Sequence, residues 1–249
     1  MRLALFALAL AVTVGFASLG RWQLQRAAEK QQMLDAVTAT LSRKQVLPLS
    51  AAADADTTGY SWAAGRGRFL DVPALLLDNQ RRGSAVGVRV FGVFKPEQGR
   101  ALLVDLGWLE VPGNRQLPAT SLPAGEQTLA GLLAPPPSTG LPLGPAFVVT
   151  DQQGQAVAGA TKAGAGSGGK PWLLTRVDLA ALATGLDIPL APRVLRLDPA
   201  LPLGYARDLD VLPNTVPPER HRGYALQWFG LALATIVLTA LLGFRRPRP

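Results

Sequence analysis

The chain has 249 residues, no cysteine, one histidine and a formal net charge of +8, and 48% of its residues are hydrophobic. The missing cysteines exclude disulfides, thiolate metal sites and cysteine nucleophiles, and a single histidine leaves no zinc site of ordinary composition. The length suits one domain plus membrane anchors.

The positive charge is the first clue to organisation. Arg2, Arg245, Arg246 and Arg248 flank apolar segments at the two ends, while the other basic residues are scattered among the 17 acids. Lysines and arginines do not run together with interleaved aromatics, so nucleic-acid binding is not expected.

In chain order, residues 3–20 form an uncharged apolar run just long enough to span a bilayer. A cleaved signal peptide competes with this reading. The run exceeds a usual signal core, and Gly15-Phe16-Ala17 is a poor cleavage site, so an uncleaved anchor is expected. Residues 21–44 continue the helical pattern, with Leu24, Ala27, Ala28, Met33, Leu34, Val37 and Leu41 at helical spacing. Trp22 and Gln23 fall at the membrane interface. Pro48 is expected to end the helix, and 51–59 reads as a linker.

From residue 60 the period becomes strand-like. Short β-rich runs occupy 60–70, 75–77, 86–94, 101–109, 127–133 and 146–149, separated by Gly-, Pro- and Asn-containing turns such as Asp78-Asn79. The Gly-rich stretch 151–169 reads as a flexible insertion. A strand is expected within 172–177, then a short helix capped by Asp178 and stopped by Gly185, then a strand over 193–197. The proline-rich stretch 199–218 cannot form a central strand and should return over the surface to the membrane.

The second span covers 224–244, about 30 Å at roughly 1.5 Å rise per residue. Arg245 stops it, and His221, Arg222 and Tyr224 mark its other boundary. Both short tails beyond the spans are basic, so both ends are expected in the cytoplasm and the intervening region outside it. The fold class expected is therefore a membrane protein of α+β type. Two transmembrane helices (N-in, C-in) bracket a mainly β extracytoplasmic domain over 60–223, and 21–59 forms a helical extension and linker. Residues 245–249 form a cytoplasmic basic tail.

The chain carries no enzyme signature. Asp71 with Asp78, or Asp208 with Asp210, could lie close enough for carboxylate catalysis, but acids near turns are usually caps. His221 stands apart as the sole imidazole, at the mouth of a span. Neutral imidazole is a common axial ligand of haem iron. Tyr224, Gln227 and Trp228 follow at helical spacing, and Trp22 and Arg26 are expected at the same depth on the first span. Two readings stay open from the residues alone: a haem ligand, or an interfacial anchor.

Three stretches carry a family resemblance. Leu19-Gly20-Arg21-Trp22-Gln23-Leu24-Gln25-Arg26 resembles the exit of the first span in the surfeit-locus family of cytochrome c oxidase assembly proteins. Val104-Asp105-Leu106-Gly107-Trp108-Leu109 is similar to the family's central strand, with Asp105-Leu106 where the family has Asn-Arg. His221-Arg222-Gly223-Tyr224-Ala225-Leu226-Gln227-Trp228-Phe229 is similar to its entry to the second span. The resemblance implies an assembly factor without catalytic turnover that assists haem A delivery or insertion into the catalytic subunit of the oxidase. His221 inherits the haem-binding position, with Tyr224, Gln227, Trp228, Trp22 and Arg26 as candidate surroundings. It further implies the inner membrane, a large periplasmic loop, and as partners membrane lipid, the oxidase catalytic subunit and haem A synthase. The alternatives are an envelope scaffold without haem binding and a carboxylate-dependent hydrolase.

Overall fold

Leu3 opens a run dominated by leucine and alanine, the strong helix formers among apolar residues, and no proline interrupts it before Pro48. In a computed structural model of the protein, which describes residues 2–43, 45–50, 59–113, 116–137, 144–151, 155, 170–212 and 215–244, this run is one helix, α1 (Arg2–Arg43). The chain divides into two compact units, one of Met1–Asp35 with Asn214–Pro249 and the other of Ala36–Pro213.

The second unit is built on a sheet. Its strands are β1 (Val46–Pro48), β2 (Ser61–Phe69), β3 (Leu75–Arg82), β4 (Ala85–Pro96), β5 (Ala101–Glu110), β6 (Glu126–Ala134), β7 (Phe147–Val149), β8 (Trp172–Leu174) and β9 (Leu190–Leu197). A helix, α2 (Leu179–Leu186), precedes β9. The order across the sheet is β1-β2-β6-β9-β5-β4-β3-β8-β7, and β2 also pairs with β4. That extra pairing closes β2, β6, β9, β5 and β4 into a ring. All its pairings are antiparallel except β5 with β9. The ring has the connectivity of a five-stranded Greek-key barrel of the OB type.

β4 makes closure possible because it is long and serves two neighbours along one edge. It pairs with β3 over Ala85–Phe91 and with β2 over Phe94–Pro96. Its register on β5 shifts between Val90 and Phe91, a bulge that turns the strand. At the closing seam Gly67 stands opposite Pro96, and a Cβ there would run into the Lys95 carbonyl.

Strands β3, β4, β5 and β9 feed two cores because successive side chains alternate faces. The barrel interior receives Ala63, Val88, Val90, Phe94, Leu102, Val104, Leu106, Leu129, Leu133, Ala191, Leu195 and Leu197. Outside the ring, Phe91, Val93, Leu103 and Val194 pack with Leu75, Trp172, Leu174, Leu182 and Leu186 beneath α2. Fully burying one such side chain contributes about 1.5–3 kcal/mol. A third, smaller cluster joins Val37 and Leu41 of α1 to Trp62 and Leu132.

Three local expectations are corrected. Pro48 does not terminate the helix: α1 stops at Arg43, and Pro48 lies in β1, which runs parallel to β2 at the edge of the sheet. An edge strand tolerates a residue without an N–H. Asp78-Asn79 is not a turn after a three-residue strand. Asn79 takes a left-handed conformation (φ 54°), and β3 resumes pairing at Gln80. Gly185 is inside α2, its Cα facing Phe147 and Trp172, and the stop is Asp187 in the left-handed region (φ 56°) with its N–H on Ala183 O. Asp178 caps the helix as expected, accepting from Ala181 N.

The return 199–212 is not a strand. It is tied down by Arg207, whose guanidinium donates to the carbonyls of Asp198, Leu201, Leu203 and Tyr205. Trp108 bridges to Ala206. The linker 51–58, most of the Gly-rich stretch 151–169, and the tail 245–249 lie outside the described residues.

Candidate functional site

The first unit is a helical hairpin. α3 (Pro218–Phe244) starts with Pro218, whose fixed φ suits a first turn, and Glu219, whose charge suits the helix N-terminus. Its contacts with α1 run in opposite senses along the two helices. A Cβ at Gly243 would meet Phe6, the rings of Phe16 and Trp228 lie 5.7 Å apart, and Lys30 Nζ donates to Val216 O at 2.6 Å. Both helices are long and apolar enough to cross a membrane.

The seam is set by residue size. On α1, Gly20 and Ala27 are buried, and on α3 Ala225 and Ala232 are. The phenyl ring of Phe229 sits over Gly20, where a Cβ would be 2.8 Å from it. Small residues let the backbones approach. Gln23 falls between Gly20 and Ala27 on the same face of α1. His221 lies one turn before Ala225 on the matching face of α3. The two meet, with His221 Nδ1 2.6 Å from Gln23 Oε1. Both side chains are half-buried. A further polar contact, Arg222 to Gln31 at 3.4 Å, lies beside them. Among the described residues no hydrogen bond engages His221 Nε2.

The other predicted site residues distribute as follows. Trp228 is on the seam, against Phe16. Tyr224 and Gln227 are exposed, Tyr224 at 42%. At about 100° per residue they sit roughly 60° and 120° round α3 from His221. Trp22 is 47% exposed and lies beneath the Arg26 guanidinium, 5.7 Å from its ring. Arg26 also pairs with Glu29 at 2.9 Å. Trp22 is about 100° from Gln23 on α1 and faces away from the seam. Gln23, and not Trp22, is the α1 residue that reaches His221. Its signal is present in the sequence: a polar residue three after Gly20 and four before Ala27, in the middle of a small-residue stripe.

Three of the four carboxylates, Asp78, Asp208 and Asp210, are engaged in local turns. Asp78 accepts from Asn79 N at 2.7 Å, Asp208 from Asp210 N at 3.1 Å, and Asp210 from Leu212 N at 2.9 Å. Among the described residues no three His, Asp or Glu side chains gather to hold a metal ion.

A hairpin of two membrane-length helices together with a mainly β domain defines an α+β membrane protein with two candidate spans. The chain belongs to the SURF1 family, whose family model matches residues 10–233. This is the surfeit-locus family expected from the three stretches above. It is known for cytochrome c oxidase assembly, as a family of assembly factors and not of enzymes. No curated protein matches the chain.

Proposed function

We propose that the protein assists delivery or insertion of haem A into the catalytic subunit of a cytochrome c oxidase, holding the cofactor transiently through His221. The observation that carries this reading is His221 itself. The only imidazole of the chain stands at the mouth of the helical hairpin with one ring nitrogen held by Gln23, and among the described residues none engages Nε2. A neutral imidazole nitrogen in a partly open seam is a donor suited to haem iron. Trp228 and Phe16 supply flat apolar surface on that seam. The cofactor's own contribution would be its iron and macrocycle, and the protein's would be to hold and orient it.

The basic tails support an orientation with both termini in the cytoplasm and the β domain in the periplasm, anchored in the inner membrane. His221 then lies on the periplasmic side, where the oxidase catalytic subunit and haem A synthase are the candidate partners.

The test is to purify the full chain in mild detergent from cells that make haem A and record its visible spectrum. Haem A should copurify with the wild type and be lost from His221→Ala. A haem-free wild type, or a variant with an unchanged spectrum, overturns the ligand role. Copurification of the oxidase catalytic subunit without haem would instead favour a docking scaffold.

A further inference from the structure

We propose that Gln23 is a positioning residue for His221, fixing the neutral imidazole as its Nδ1–H tautomer and so leaving Nε2 as the only nitrogen able to bind a metal. The proposal rests on the haem-ligand reading for its purpose, but not for its chemistry. An amide oxygen can only accept a hydrogen bond. The 2.6 Å contact between His221 Nδ1 and Gln23 Oε1 is a hydrogen bond when Nδ1 carries the ring proton, and that is the tautomer the proposal assigns. Neutral imidazole has one N–H, so Nε2 keeps its lone pair. Free histidine favours the opposite tautomer, so the protein reverses the intrinsic preference. Metal-binding histidines generally have their second nitrogen held by such an acceptor, which fixes ring orientation and raises ligand basicity.

The geometry of the seam makes the contact specific. Gln23 is flanked on its face of α1 by Gly20 and Ala27, and His221 by Ala225 on α3, all three buried. The close approach of the two backbones places a four-bond side chain in reach of the ring. Asparagine, one methylene shorter, falls short by about 1.5 Å on ordinary bond lengths. Glutamate keeps both reach and acceptor.

Because the chain has one histidine, the tautomer can be read directly. The full protein, labelled with ¹⁵N-histidine and held in detergent at a pH where the ring is neutral, gives one pair of ring-nitrogen signals. The wild type should show a protonated Nδ1 and an unprotonated Nε2. Gln23→Leu and Gln23→Asn should revert towards protonated Nε2, and Gln23→Glu should retain the wild-type pattern. In haem titrations, Gln23→Leu should weaken haem binding about 10- to 100-fold, with Gln23→Glu restoring it. A wild type with protonated Nε2, or a Leu variant with the wild-type pattern, overturns the proposal. The tautomer is measured without haem, so a chain that binds no haem yet shows protonated Nδ1 sinks the haem reading alone.

Discussion

Asp105 on β5 lies directly opposite Arg196 on β9 and also accepts from Arg89 of β4 at 2.6 Å, so one buried carboxylate serves a buried and a half-buried guanidinium. Its other oxygen accepts from Gly107 N at 3.1 Å. Arg196 additionally donates to the Asp210 carbonyl and approaches Asp208. Burial lowers the Arg196 pKa and the neighbouring Asp105 charge opposes that shift.

Removing the shared acid should therefore hurt more than removing either base. Asp105→Ala takes the paired carboxylate from Arg89 and leaves Arg196 with the more distant Asp208 at 3.9 Å, and should cost about 3–5 kcal/mol. Arg89→Met removes one cation and leaves the Asp105–Arg196 pair, so a smaller loss is expected. Chemical denaturation of the full chain in detergent, followed by tryptophan fluorescence, orders the two. Equal losses would show that the carboxylate is not shared in energetic terms.

Gly107 has φ 115°, and a Cβ there would sit 2.7 Å from the Tyr205 carbonyl. Gly107→Ala should destabilise by about 1–3 kcal/mol through strain. Gly113, where an added Cβ would meet nothing within 4 Å, is the control. Gly113→Ala should be neutral or slightly stabilising. Melting temperatures of the two variants should move in different directions or by clearly different amounts.

Phe229 occupies the space above Gly20. Gly20→Ile should loosen the hairpin, and Phe229→Ala in the same chain should recover part of the loss, because the large and small residues exchange sides. Thermal stability of the single and double variants in detergent measures the coupling. A double variant no better than Gly20→Ile would place the two residues out of contact.

Tyr60 is held above the usual phenol pKa of 10.0 by burial, partly offset by Arg196 and Arg193. The folded state thus keeps a proton that the unfolded chain releases first. Stability from this group is full below about pH 10 and is lost as pH rises through the folded pKa. Tyr60→Phe should abolish that component of the alkaline decline, seen by comparing denaturation midpoints of the two chains between neutral and alkaline pH.

The elements are largely visible in the sequence because apolar runs and alternation are local signals. β5 reads as a strand from Ala101-Leu102-Leu103-Val104 alone, and the two apolar ends read as spans. Ring closure is not visible, because Gly67 opposite Pro96 is a pairing decided by tertiary geometry and the bulge at Val90/Phe91. Asp78-Asn79 carries turn chemistry, yet Asn79 uses its left-handed tolerance for a bulge inside β3. At the site, His221 stands out by being unique. Gln23 reads first as an interfacial residue, and the small-residue stripe of Gly20 and Ala27 is the signal that marks its face of α1 as the one that meets α3. Trp22 draws notice as an aromatic beside the membrane, and a single step in helical phase turns it outward.

The Gln23–His221 contact joins residues 198 positions apart. At about 5–20 residues per second of synthesis, roughly 10–40 s pass between the emergence of the two. A ribosome that stalls anywhere before His221 releases a chain that has the first apolar helix and lacks half of the contact. The contact therefore requires synthesis to have passed His221: a product truncated earlier keeps the first apolar helix and lacks the helix that meets it.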